Sequence, residues 1–402
     1  MISSYPPRLC GIGTFCEEAR EFIQKRFPER EILVISHTDG GGEGVFPIMD
    51  ITRPQWWQPV VDKVKELDPY VIHIEHEYGL YESRNELGLG DGNIGFLKML
   101  QALKSWPIVI EPHTVHGRLC EHEANFIRQI AEACDVLIFK CNYQRWRLNW
   151  TFTSRGWVTP TNIMIIPHGA RDDMRWTIEE VAELKKELGF AASPQVGDHF
   201  VGLVGWIQRN KRWDILTSLW EELFQEIKQN TGETWTLLAA GEMRDPNDRE
   251  EYLKYRTQVD LLATKGLAHF YEFIPRGPLY YKVMACCDFV VLPSVDETQS
   301  GTLARIIALN KPFITTAPME GLTAQTLESD GGLLFSTKKM LYEKVLRLAC
   351  DEQLRMKFGD NLKRYLEETV SWRIVSEQYA EAYDLARSAK RTNQTVVIAQ
   401  EF

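Results

Sequence analysis

A chain of 402 residues is longer than one hydrophobic core usually serves, so two domains are expected. Apolar and charged contents of 44% and 25% describe a globular protein, and a net charge of −10 argues against a nucleic-acid binder, which needs a basic face. No apolar run approaches the roughly 20 residues of a membrane span, the start Met1-Ile-Ser-Ser-Tyr-Pro-Pro-Arg8 lacks a signal pattern, and the cysteines show no metal spacing, so a cytoplasmic protein with reduced thiols is expected.

The first punctuation is Pro6-Pro-Arg-Leu-Cys-Gly11-Ile-Gly13, where a first strand meets a helix over 14–26. Gly11 and Gly13 allow close backbone approach to a ligand, although a lone G-x-G equally describes a tight turn. Apolar runs at 31–36, 70–74, 108–110, 136–139 and 162–166 read as strands, with further helices over 56–67, 96–104 and 121–133. This alternation predicts a mostly parallel, doubly wound sheet. Trp56 and Trp57 read as core. His73 and His76 fall on opposite faces of one run, which argues against a shared metal. His76 or Glu77, at the strand end, is placed to touch a ligand. His113 and His116 follow the 108–110 run, and His113, nearer the strand end, is the preferred donor or acceptor for a ligand hydroxyl. A structural histidine is the competing reading. The segment Arg145-Trp-Arg-Leu-Asn-Trp150 mixes cations and aromatics. A packed amphipathic turn is preferred there over a weak membrane-surface contact.

The same grammar restarts after a helix over 179–188 and a linker over 189–198. Runs at 200–204, 234–240, 268–273, 289–293, 311–316 and 332–335 read as strands, and 340–390 as helix. Two strand ends carry chemistry. After the first, Gly205-Trp-Ile-Gln-Arg209-Asn-Lys211-Arg-Trp213 turns on a glycine and projects cations suited to a diphosphate. A solvated basic loop is the alternative. After the 289–293 run comes Glu297-Thr298-Gln299-Ser300-Gly301-Thr302, with a helix opening near Ser300 and ending near Ala308. Amides at such a helix start suit a phosphate, whereas a carboxylate just upstream suits hydroxyls. Together these are the layout of a sugar-nucleotide site, although a plainly capped helix looks similar.

Taken in order, these segments resemble the retaining glycosyltransferases of family 4. The matching pieces are Gly11 to Thr14, His76-Glu-Tyr-Gly79, His113, Ile166-Pro-His-Gly169, Phe273-Ile-Pro275, Leu292-Pro-Ser294 and Ser371-Trp372. The family signature of two glutamates separated by seven residues finds Glu297 first but Arg305 second, with Lys311-Pro312 in register. The family's basic motif reads Gly205-Trp206 and Lys211-Arg212, keeping the lysine and lacking the arginine, for which Arg209 is the substitute in the same loop.

The resemblance implies an α/β protein of GT-B fold, with two Rossmann-like doubly wound domains facing a cleft. Residues 1–175 would form an acceptor-side domain, 176–370 a nucleotide-sugar domain, and 371–402 a segment crossing back. It implies that Lys211, Arg209, the amides of Gly301, Thr302 and Leu303, and the turn at Gly11 and Gly13 hold the diphosphate. Glu297, Thr298, Gln299, Ser300 and His113 would bind the donor sugar, Phe273 and Ile274 the base, and Arg305 the ribose or a phosphate. His113, Glu297 and Lys211 are the catalytic set. The implied reaction moves a hexose from a nucleotide sugar, UDP-glucose ahead of GDP-mannose, to a saccharide or lipid-linked acceptor. No metal or other cofactor is implied. The location is cytoplasmic, with a peripheral contact at the inner membrane face as a further expectation. The alternative is a catalytically impaired sugar-nucleotide or glycan binder of the same fold, favoured by Arg305 and Trp206.

Overall fold

The computed structural model describes residues 1–84, 88, 90–116, 118–190, 199–295 and 299–398. The chain divides into two units, one built from Met1–Gly169 with Trp372–Phe402 and the other from Ala170–Ser371.

The first unit contains β1 (Val34–His37), β2 (Val45–Met49), β3 (Ile72–His76), β4 (Ile108–Pro112), β5 (Val136–Phe139) and β6 (Ile163–Ile165). β3 to β6 are successive parallel neighbours, and β1 pairs with β2, also in parallel. Ile2 bridges Ile35 of β1 and Ile74 of β3, so the N-terminal segment fills the place between them. Counted as a strand, it gives the order 3-2-1-4-5-6-7, and the winding reverses between it and β3. β1, β3, β4 and β5 are buried at every position, as parallel strands covered on both faces must be. β2 was not expected. Its half-exposed pattern with a central Pro47 suits the sheet edge it occupies.

One face of this sheet is covered by the helices Gly11–Arg26 and Trp372–Thr392, which bring Phe15, Ala19, Ile23, Trp372, Val375 and Tyr379 onto Val109, Val136 and Ile138. The helix expected from residue 14 starts at Gly11. The fit is close. A Cβ on Gly169 would lie 2.4 Å from the Trp372 ring, so only glycine lets the chain pass there. Trp56, Phe96 and Phe126 pack with Ile110 and Leu137 in the other main core cluster.

The second unit contains β7 (His199–Val204), β8 (Trp235–Gly241), β9 (Ala268–Glu272), β10 (Phe289–Leu292), β11 (Phe313–Thr316) and β12 (Gly332–Phe335). All pair in parallel in the order β12-β11-β10-β7-β8-β9, so the winding reverses between β7 and β10. The eight cysteines form no disulfide. No described helix is long and apolar enough to cross a membrane.

Candidate functional site

In the second unit the two loops singled out from the sequence leave β7 and β10, the neighbours that flank the winding reversal. Loops diverge at such a point and open a crevice at the carboxyl ends of the strands. The β7 loop turns at Gly205, whose φ is +139°. A Cβ there would sit 2.8 Å from Tyr280 Oη and 3.3 Å from Thr302 Oγ1. Gly241, at the end of β8, is equally constrained, because its Cβ would meet Gly205 O at 1.9 Å. The loop then makes a short 3-10 turn over Arg209–Lys211. The Asn210 carbonyl accepts a 2.8 Å bond from Val295 N, tying it to the segment after β10. Gly205, Trp206, Lys211, Pro293, Ser294 and Thr302 line one recess.

Beyond that segment the helix Gly301–Ala308 starts as expected. Ser300 is its N-cap, its Oγ accepting from Leu303 N at 3.4 Å. The Ala304 N to Ser300 O bond, 3.2 Å, is the one that closes the first helical turn. The N–H groups of Gly301 and Thr302 precede it, at the positive end of the helix dipole. The Tyr280 and Thr302 hydroxyls bond at 2.7 Å. Both amide atoms of Gln299 are enclosed and have no hydrogen-bond partner among the described residues. Glu297 and Thr298 lie outside the described residues.

Three expected contacts sit differently. Arg305 is 6% exposed. Its Nη1 donates to Gly301 O at 2.8 Å and its guanidinium lies against the rings of Tyr280 and Tyr281, so it braces the helix rather than presenting its charge. The Arg209 side chain is 85% exposed beside Glu251, because the turn carries it outward. Phe273 is core, packed on Tyr271 and Tyr280, while its neighbour Ile274 is 44% exposed and offers surface.

In the first unit, Gly11 and Gly13 are helical rather than in a turn. A Cβ on Gly13 would press on Ser4 and Tyr5 at 3.2–3.3 Å, whereas one on Gly11 would meet nothing within 4 Å. That helix aims Phe15 edge-on at His113 and His168, with centroids 4.9 and 4.7 Å away. His113 is 7% exposed and its Nε2 lies 2.6 Å from Glu75 Oε2.

Glu75 belongs to a buried network that no motif announced. In the β3–β4 register Glu75 stands opposite Glu111. Lys140, directly after β5, forms an ion pair with Glu111, and Tyr379 Oη donates to Glu111 Oε2 at 2.7 Å. His73 Nδ1 and Tyr383 Oη are 2.9 Å apart. Burial alone would raise the Glu111 carboxyl, but the Lys140 ammonium and the His73 contact outweigh it and hold the group well below the usual carboxylate range. Burial, reinforced by Glu111, lifts the Tyr379 phenol well above its usual value. His73, Glu75 and Glu111 place one ligand atom each within 4.8 Å of one another. The ammonium of Lys140 already supplies a cation at that point.

His76, expected as a possible ligand contact, is 1% exposed among Tyr81, Phe96 and Phe126. Burial lowers its imidazole to about 3, so it is neutral, with Asn93 Oδ1 3.2 Å from Nε2. Glu77 accepts from Tyr78 N and from the Thr114 hydroxyl. His116 faces Glu123 at 2.5 Å.

Residues 198–351 match the family model described as glycosyl transferases group 1. No curated protein sequence matches the chain. Solved structures do. Anabaena HepE, determined with UDP-glucose, superposes with a TM-score of 0.67 at 15% identity, covering 92% of this chain and 95% of that one. The sucrose-phosphate synthase of Thermosynechococcus elongatus gives 0.69 at 14%, covering 96% and 98%. WaaG, a glycosyltransferase involved in lipopolysaccharide biosynthesis, gives 0.62 at 15%, covering 98% and 99%. The chain has the GT-B fold of glycosyltransferases. The stretch that matches the group 1 family model lies within the second unit.

Proposed function

We propose that the chain is a retaining hexosyltransferase that uses a nucleoside-diphosphate sugar, with UDP-glucose the preferred donor, and a saccharide or lipid-linked acceptor. The observation that carries this reading is the convergence of two loops at the winding reversal of the second unit. Lys211 and Thr302 line one recess there, and the Asn210–Val295 bond fixes the loops to each other. A diphosphate held by Lys211 and the amides of Gly301, Thr302 and Leu303 would have its leaving charge stabilised by prepositioned groups. The enclosed amide of Gln299, which has no partner among the described residues, suits a sugar hydroxyl. Glu297 and Thr298 are proposed beside it, Ile274 is the proposed base contact, and His113 is the candidate in the first unit. The solved complex of HepE with UDP-glucose supports the choice of donor.

In such a reaction the acceptor hydroxyl attacks C1 on the face the diphosphate leaves, its proton passes to a leaving phosphate oxygen, and the C1–O bond to the diphosphate breaks. The protein's work is positioning and charge stabilisation. The test is release of nucleoside diphosphate from UDP-glucose and GDP-mannose in the presence of candidate acceptors. Lys211→Ala and Glu297→Gln should each lower turnover about tenfold or more, roughly 1.4 kcal/mol of transition-state stabilisation, with unchanged melting. Wild-type protein that binds these donors without turning them over, even with acceptors supplied, would favour the binding-protein reading.

A further inference from the structure

The segment expected to be a packed turn is a helix, Asn142–Ser154, with apolar residues on two sides. Inward, Leu148 and Phe152 are buried in the first unit's core. Outward, Tyr143, Trp146 and Trp150 stand at i, i+3 and i+7, one stripe on a helix, and are 44%, 54% and 56% exposed. Val158, just beyond, is 90% exposed. A helix apolar on both faces normally has both covered, and nothing among the described residues of the unit covers this one.

The charge pattern says what suits the open face. From residue 136 to 171 the chain has no Asp or Glu, although its net charge is −10. Arg145, Arg147 and Arg155 are the cations on or beside the helix. The Arg147 guanidinium lies 5.5 and 5.0 Å from the Trp146 and Trp150 ring centroids, so the charge sits within the aromatic stripe. Indole and phenol rings favour the boundary between lipid headgroups and acyl chains, and arginines there meet lipid phosphates. A helix that bears arginines and no acid, on an otherwise acidic protein, is complementary to a negative surface.

We propose that the Tyr143–Trp146–Trp150 stripe docks the first unit on an anionic lipid surface, with the rings at the headgroup level and Arg145 and Arg147 against phosphates. The docking is independent of glycosyl transfer and needs no donor.

The experiment is co-sedimentation of the full-length chain with vesicles of phosphatidylcholine alone, or with one part in three replaced by phosphatidylglycerol. The expected result is binding to the anionic vesicles that weakens about tenfold or more in their absence or at high salt. The variant Trp146→Ser/Trp150→Ser should lose about as much again while melting and donor turnover stay unchanged, since both rings face solvent. Arg145→Glu/Arg147→Glu should abolish the preference for anionic lipid. No binding to anionic vesicles, or binding that the tryptophan variant leaves intact, overturns the proposal. So does a concentration-dependent dimer in light scattering that the tryptophan variant abolishes while wild type ignores vesicles, because the face would then belong to a second copy.

Discussion

Replacing Lys140 by methionine is the most direct probe of the buried network in the first unit. The change keeps the bulk of the stem beside Phe15 and Tyr379 but removes the ammonium that pairs with Glu111. Glu111 is fully buried, so its carboxylate would be left with the Tyr379 hydroxyl and the nearby imidazoles. Breaking one side of such a pair costs about 3–5 kcal/mol. At about 2–4 °C per kcal/mol for a unit of this size, the transition of the first unit should fall by about 6–20 °C. Lys140→Met/Glu111→Leu removes both charges; His73 keeps Tyr383 and Glu75 as partners, while the Tyr379 hydroxyl loses its acceptor, a loss of about 1–3 kcal/mol, so the double variant should melt between the single variant and wild type. The pH dependence has a definite sign. A carboxyl held below its ordinary value of 4.5 contributes stability that is complete above that pH and is lost progressively as the pH falls further. Lys140→Met should therefore flatten the acid limb of the stability profile. Differential scanning calorimetry from neutral to acid pH measures both quantities. A single variant melting within experimental error of wild type at neutral pH would refute the account of this ion pair.

Two predictions concern turnover. Glu75 positions the His113 ring through the 2.6 Å contact, so the near-isosteric Glu75→Gln should lower kcat about tenfold or more, roughly 1.4 kcal/mol, while KM for the donor changes little. Unchanged kcat in a folded variant would remove that role. Transfer should also persist in excess chelator, because the proposed diphosphate contacts are Lys211 and main-chain amides. Loss of activity on chelation, with recovery on adding one metal, would refute that assignment.

The strand grammar was legible because parallel strands buried on both faces are short apolar runs, and eleven of these were read in place. β2 was not, since Pro47 and partial exposure blur an edge strand. The capped helix at Ser300 and the glycine turn at Gly205 were legible from local chemistry. The setting of Arg305 was not legible, because spacing shows that a side chain follows a motif, not that it folds back onto the carbonyl of Gly301, four residues earlier. The buried network escaped because its members lie far apart in sequence. A signal was present, however. The apolar runs Ile72-His-Ile-Glu75, Ile108-Val-Ile-Glu111 and Val136-Leu-Ile-Phe-Lys140 each end on a charge at a similar height on adjacent strands. Charges in such positions must find one another once the sheet forms.

The division of the chain has a consequence for its biosynthesis. The first unit needs the helix Trp372–Thr392, which buries Trp372, Val375 and Tyr379 and delivers the Tyr379 and Tyr383 hydroxyls to Glu111 and His73. A ribosome emits that helix only after all of Ala170–Ser371. During translation the nascent N-terminal half must therefore wait with Phe15, Val109 and Ile138 uncovered, while the later-made unit, contiguous in the chain, is the first to have its whole sequence available. Chaperone dependence should accordingly track the interval before the last helix emerges, and slowing elongation within Ala170–Ser371 should lengthen it.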